Sequence, residues 1–551
     1  MSLHDEEVQF LEKRELKTND DEYRLLTKEE IIKINQKEPI WRKIRIISLV
    51  LFIILWLGLL AAAVIIVFMA PKCPKKPNLE FYQKKVGYWV DVMAFADSNS
   101  DGYGDLKGLL DKTDYIKELG AGYVILNPIQ KGCAGEVLGF SEDLAEVDSK
   151  IGRTEDFKDF IRGMRRNGLE VVITLNFNSV TRSSDVLPYA LQLSKPVAGQ
   201  SLSGYSYKDN YYSPYGGNIV DLDLTKNKTL EYVYNITKLW LDRGVAGIML
   251  RDVSFYTEDT WNMFDDNWLS TIPTCCIDRP GNVDVVRKIR SAVDDYNTKH
   301  VLNKALFVDA GRTRHDDITS QDPTTMYVGE GLADMLISKI LVYDVKNENG
   351  AEKVQIYSNI YDDNVRSKLF LSTATSDFGH GVDLKSLALS FLLPGSPLIY
   401  YSSELGHPNL SEVKEAPQGF YPNPSTHYHD LRSHYMMPWT VEYFNATDAK
   451  RSQTYKKYLE SLKIIHTVDE SVFARKAGQG HQDVIVAIAK NPITVSVGSF
   501  CNNANYTSIL IHPETPGIPE DVSFDDKNVF IDADSQTSSI YVFRCDEPAL
   551  A

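Results

Sequence analysis

A chain of 551 residues that is 43% hydrophobic and 24% charged has an ordinary globular composition and is too long for one small domain, so two or three domains are expected. Its 59 Lys plus Arg against 75 Asp plus Glu give a formal net charge of -16, which argues against the basic surface that a nucleic-acid partner requires. From Ile46 to Met69, however, 24 consecutive residues carry no charge. That run amounts to about 36 Å of helix against a hydrocarbon core of roughly 30 Å, which excludes a purely soluble protein.

In chain order, residues 1 to 26 are polar and poor in aromatics, the composition of a disordered tail. Thr27-Lys28-Glu29-Glu30 reads as a capping box, and Ile31, Ile32 and Ile34 predict a short, partly apolar helix ahead of Pro39 at the cytoplasmic interface. The apolar run follows 45 charge-rich residues and so reads as an uncleaved anchor, because a signal peptide starts within the first residues and ends at a small-residue cleavage site. Gly58, Ala61, Ala62 and Ala63 form a patch of small residues within it, where another membrane helix can approach.

Basic residues flank the span almost equally, six before it and five after, so charge alone does not orient it. The Asn-x-Ser/Thr triplets headed by Asn227, Asn235, Asn409, Asn445 and Asn505 all follow the span. So do all six cysteines, Cys73, Cys133, Cys275, Cys276, Cys501 and Cys545, with no zinc-like spacing among them. Both observations place the N-terminus in the cytoplasm and the larger C-terminal part outside. That outer part holds 49 basic and 64 acidic residues, a net of -15.

From about residue 80 to 465, strand-like runs at Tyr123 to Leu126, Glu170 to Leu175, Gly247 to Leu250, Ala305 to Val308, Met335 to Ile337, Lys368 to Leu371 and Leu398 to Tyr401 alternate with helical segments such as Thr154 to Asn167. Repeated strand-helix units of this kind predict a parallel (β/α)8 TIM barrel. After residue 470, short alternating runs at Val484 to Ile488, Ile493 to Val497, Ser508 to Ile511 and Ile540 to Phe543 predict an antiparallel β-sandwich. Cys501 and Cys545 both fall in it, and a disulfide between them would add about 4 kcal/mol. The expected organisation is thus a single-pass type II membrane protein: a tail at 1–45, a membrane helix at 46–69, a linker with Cys73 at 70–80, a barrel at 81–466 and a sandwich at 467–551.

The stretch Phe95-Ala96-Asp97-Ser98-Asn99-Ser100-Asp101-Gly102-Tyr103-Gly104-Asp105, with Trp240 to Gly247 and Leu393 to Tyr401 followed by Glu404-Leu405-Gly406, resembles the α-amylase/oligo-glucosidase family across the whole ectodomain. That resemblance implies a retaining mechanism with an Asp nucleophile, a Glu acid/base and a further Asp. Their positions fall on Arg251, Gly311 and Thr375, none of which supplies a carboxylate. An Arg does not form a glycosyl ester. Asp252 is one residue beyond, and strand alternation would turn it to the other face, so its expected role is an ion pair. Asp309 lies two residues before Gly311, and Asn178 survives from an earlier motif that has lost its Asp and His. A catalytically inactive barrel is expected.

A second, independent resemblance lies at the membrane. Leu26 to Glu30, Glu38 to Trp41, Leu55 to Gly58, Ala61 to Val67 and Ala70 to Cys73 are similar to the heavy subunits of heteromeric amino-acid transporters. This implies a disulfide from Cys73 to a multi-spanning light chain at the plasma membrane. The glucosidase likeness further implies a structural Ca²⁺ held by Asp97, Asn99, Asp101, the Tyr103 carbonyl and Asp105, oxygen donors of the kind a hard cation takes. Two other functions remain open, a membrane-tethered α-glucosidase using Asp252 and Asp309 and a surface carbohydrate-binding or adhesion receptor. Cys133 with Cys275 or Cys276 is one further pairing the sequence allows.

Overall fold

The computed structural model describes residues 26–37, 39–69, 79–133, 140–183, 185–192, 206–208, 211–213, 218–258, 278–310, 325–338, 341, 363–372, 389–393, 395–405, 437, 439 and seven strands between 472 and 545. The chain divides into two compact units, Met1–Lys75 and Lys76–Ala551.

In the first unit, helix α1 (Lys28–Lys37) is followed by the long helix α2 (Pro39–Met69). The capping box forms as expected: the Thr27 amide and hydroxyl donate to Glu30 Oε2, both at 3.0 Å, and the Glu30 amide donates back to Thr27 Oγ1 at 3.5 Å. Helix α2 starts seven residues before the uncharged run, because Pro39 suits a first helical position and Arg42, Lys43 and Arg45 continue the turn without interrupting it. Its apolar side chains are exposed, and Ile40–Ile66 is long and apolar enough to cross a membrane. Gly58 sits in this helix with nothing within 4 Å of where a Cβ would stand.

The second unit is organised by eight parallel strands: β1 (Val86–Val90), β2 (Ala121–Leu126), β3 (Glu170–Asn176), β4 (Gly247–Arg251), β5 (Ala305–Val308), β6 (Met335–Ser338), β7 (Leu369–Leu371) and β8 (Ser396–Tyr400). They close into a barrel in the order β1-β8-β7-β6-β5-β4-β3-β2. The described helices between them include α3 (Leu106–Asp111), α4 (Thr113–Glu118), α5 (Phe157–Arg166), α6 (Asn227–Asp242) and α7 (Pro280–His300). Helix α5 shows why the sequence folds this way: Phe157, Phe160, Ile161 and Met164 recur at helical spacing and are all buried, while Lys158, Asp159 and Arg162 between them face solvent.

The lower end of the barrel is packed with rings. Phe307 meets Phe370 edge to face at 4.8 Å and Tyr82 at 5.2 Å, and Phe81 meets Tyr123 at 5.3 Å. Phe81 and Tyr82 belong to the short helix Phe81–Lys84 just before β1, which therefore closes the barrel from below. Gly87 makes room for this set, since a Cβ there would stand 2.6 Å from the Tyr123 ring and 2.7 Å from Leu398.

The C-terminal strands are β9 (Val472–Arg475), β10 (Val484–Ala489), β11 (Ile493–Ser496), β12 (Tyr506–Ser508), β13 (Val522–Phe524), β14 (Asn528–Ile531) and β15 (Ser539–Cys545). They pair antiparallel into two sheets, β9-β10-β15-β12 and β11-β14-β13. Val486 and Val542 are continuous with the barrel core. A sandwich made of these two sheets remains an expectation.

Candidate functional site

The upper, C-terminal end of a barrel is where loops gather side chains for chemistry. Register puts Met249 beside Thr174 and Phe307, and Arg251 beside Asn176. Phe307 belongs to the ring cluster inside the barrel, so the two-residue alternation of β4 turns Met249 and then Arg251 inward as well. Arg251 therefore stands inside the mouth, where the family resemblance places a nucleophile.

Asp252 does not follow the simple alternation expected of it. It adopts a left-handed backbone with φ of 59°, which ends the strand and swings the carboxylate back over the mouth. There its Oδ2 lies 3.5 Å from Arg251 Nε and accepts from Asn176 Nδ2 at 3.2 Å. The pair is almost fully enclosed, with side chains 3% and 6% exposed. The ion pair expected of Asp252 is thus with Arg251, at the position where the family resemblance places the nucleophile. Asp309 is buried just beyond β5, its amide donating to the Leu250 carbonyl at 2.7 Å. Asn178 is buried too, its amide donating to Asn176 Oδ1 at 2.9 Å and its side chain to Ser179 Oγ at 3.0 Å.

Next to this mouth lies an acid pair that sequence reading passed over. Asp221 accepts from Ser179 Oγ, its cross-strand partner, and is hydrogen-bonded to Glu258. Two carboxyls share a hydrogen bond only when one is protonated. Burial drives the Asp221 carboxyl up to about 7, against the hydrogen bonds from Ser179 and Glu258 and with help from the charge of Asp252. Burial and the charge of Asp221 push Glu258 well above the usual carboxylate range.

The acidic loop after β1 is closed on itself. Asp97 accepts from the amides of Asn99 at 3.0 Å, Ser100 at 2.6 Å and Gly102 at 2.8 Å, and Asp101 accepts from the Tyr103 amide at 2.8 Å and Asn99 Nδ2 at 3.0 Å. Desolvation works to raise Asp97, but the amides of Gly102, Ser100, Asn99 and Asp101 outweigh it and hold the carboxyl below its ordinary value. Asp105 caps α3, accepting from the Gly108 amide at 2.7 Å, and its carboxylate also takes the Ser98 amide and hydroxyl. Among the described residues, no three His, Cys, Asp or Glu side chains gather as a metal cluster. The donor types suit a hard cation, while in this arrangement their oxygens serve the loop's own amides.

Asn227 and Asn235 are exposed on α6. Cys133 is buried, and Cys545 contributes its backbone to β15 opposite Tyr506. Cys73, Cys275, Cys276, Gly311, Thr375, Asn409, Asn445, Cys501 and Asn505 lie outside the described residues.

Comparison with known proteins gives two family matches, both in the first 213 residues. Residues 12–88 match the solute carrier family 3 member 2 N-terminus, and residues 92–213 match the alpha amylase catalytic domain. Over 516 residues the chain is 26% identical to amino acid transporter heavy chain SLC3A1 of Homo sapiens, covering 83% of this chain and 71% of that protein. It is 30% identical over 233 residues to heavy chain SLC3A2 of Oryctolagus cuniculus, an alignment spanning 42% of this chain and only 36% of that protein. Among solved structures, the alpha-glucosyl transfer enzyme XgtA superposes with a TM-score of 0.63 at 17% identity, over 85% of this chain and 100% of the enzyme, a likeness of fold. The chain thus joins a segment that matches the solute carrier family 3 member 2 N-terminus to one that matches the alpha amylase catalytic domain, and over most of its length it is similar to an amino-acid transporter heavy chain.

Proposed function

We propose that this chain is the ancillary heavy subunit of a heteromeric amino-acid transporter, linked through Cys73 to a multi-spanning light chain that it brings to and stabilises at the plasma membrane. The observation that carries this reading is the SLC3A2-type match over residues 12–88, which covers the one helix among the described residues fit to cross a bilayer. A single helix does not enclose a substrate site with alternating access, so the transport path belongs to the partner. In this reading the N-terminus is cytoplasmic, the barrel and C-terminal sheets are extracellular, and Asn227 and Asn235 on the exposed face of α6 carry glycans. Coexpression with a candidate light chain tests it. Amino-acid uptake and a nonreducing-gel dimer lost in Cys73→Ser are expected, and their absence with every light chain tried would overturn the reading.

The barrel is proposed to be inactive, which the buried Arg251–Asp252 pair supports because it places a cation and its counter-ion where attack would occur. Burial of both Asp252 and Asp309 at the mouth favours, as a second reading, a tethered α-glucosidase using those two acids. Maltose hydrolysis by the purified chain, abolished in Asp252→Asn, would decide for the enzyme. Calcium is proposed as a structural ligand of the Asp97–Asp105 loop on its donor set alone: added Ca²⁺ raises the melting temperature, and Asp101→Ala removes that rise.

A further inference from the structure

The barrel closes where its first strand meets its last, with Gly87, Tyr88 and Trp89 in register with Leu398, Ile399 and Tyr400. Just past β8, Glu404 lies in the short turn Ser403–Leu405 and is 1% exposed. Its Oε1 accepts from the Tyr88 hydroxyl on β1 at 2.8 Å and from the Tyr115 hydroxyl on α4 at 2.7 Å. These partners are 316 and 289 residues away in sequence. Its Oε2 is buried and meets no donor among the described residues, and the hydroxyls of Ser402 and Ser403 beside it are likewise buried without one.

Among the described residues, the groups around this carboxyl offer it no counter-charge. Tyr115 packs edge to face on Trp439 at 5.0 Å, Lys112 Nζ lies 4.3 Å from the centre of the same indole, and the charge felt by Tyr115 from α4 is that of Glu118. Among the described residues, the two phenols and its own backbone amide are what favour the ionised form of Glu404. A buried carboxylate with one oxygen unserved is costly, whereas the neutral acid keeps both phenol contacts without a buried charge.

We propose that Glu404 is a proton-operated latch on the barrel seam, tying β1, α4 and the end of β8 together when its carboxyl is neutral and loosening them when it ionises. Burial lifts this carboxyl to about 7 in spite of the opposing hydrogen bonds from Tyr115 and Tyr88. A folded value raised above the ordinary one means that the stabilisation is complete below about 4.5 and is lost as pH climbs through about 7. Between those limits the unfolding equilibrium should rise by roughly two orders of magnitude more than in a chain lacking the group.

The test is the melting temperature of the full-length chain in detergent between pH 5 and 8.5, compared with Glu404→Gln. Asp221 titrates in the same window, so the difference between the two curves carries the result. Glu404→Gln keeps an acceptor for both phenols and should flatten the curve, ending more stable than the parent at pH 8. Parallel curves would overturn the proposal. Tyr115→Phe removes a donor that favours the ionised form and should move the pH midpoint upward, whereas a uniform drop at every pH would count the contact as packing only and defeat the latch.

Discussion

At the lower end of the barrel Tyr123, Phe307 and Phe370 fill the interior ring against ring, whereas at the upper end β3 and β4 present Asn176 and Arg251, with Asp252 and Asp309 just beyond β4 and β5. Only one or two turns of strand alternation separate the two. The lower set is held by dispersion and apolar burial and tolerates change in proportion to volume. The upper set is held by charge balance, so a residue there is tolerated only if its counter-ion comes with it. Arg251 illustrates this: a cation in the mouth is accommodated because the left-handed turn at Asp252 returns a carboxylate to it. A buried charge of either sign can stand in the barrel mouth without the barrel losing its shape, provided such compensation is local.

The largest expected effect is in the lower set. Phe307→Ala should cost about 3 to 5 kcal/mol in denaturant unfolding, equally at pH 5 and 8. A loss that depended on pH would break the contrast with the mouth. Next comes Arg251→Met, which strips a buried carboxylate of its partner and should cost about 3 kcal/mol. Adding Asp252→Asn should recover most of that loss, and strict additivity in the double variant would mean that charge balance does not hold the mouth together.

Smaller effects sit on the two rims. On the upper rim, Asp105→Ala removes the cap of α3 and should lower stability by about 1 kcal/mol without Ca²⁺, and a larger loss with Ca²⁺ present separates the metal role proposed for it from its capping role. On the lower rim, Val301 ends α7 in a left-handed conformation with φ of 53° and is 91% exposed. A β-branched residue is strained there, so Val301→Gly should raise stability by up to about 1 kcal/mol, a small gain readable as a shift in melting temperature.

What was legible in the sequence follows the same division. The strand at Ala305 to Val308 is found with the expected limits, because four buried apolar residues in a row announce themselves. Strand β1 has no such signal, since Gly87 breaks the apolar pattern for the sake of the Tyr123 ring. Arg251 at the expected nucleophile position was readable from the family resemblance, but the turn at Asp252 was not, since alternation alone turns that side chain to the opposite face. The Asp221–Glu258 pair and the phenols on Glu404 were hidden for another reason: their partners are brought together only by closing the barrel.

At Gly58 of helix α2 the described part of the chain leaves room for a side chain. Among the described residues nothing stands within 4 Å of a Cβ placed on Gly58, and replacing glycine inside a helix with alanine ordinarily favours the helix. A methyl introduced there meets no neighbour beyond its own helix, and a larger side chain reaches only residues three and four away along it. Any change in surface delivery or assembly that follows Gly58→Leu therefore reports on a molecule outside this chain, and distinguishes a helix that merely tethers from one that is held.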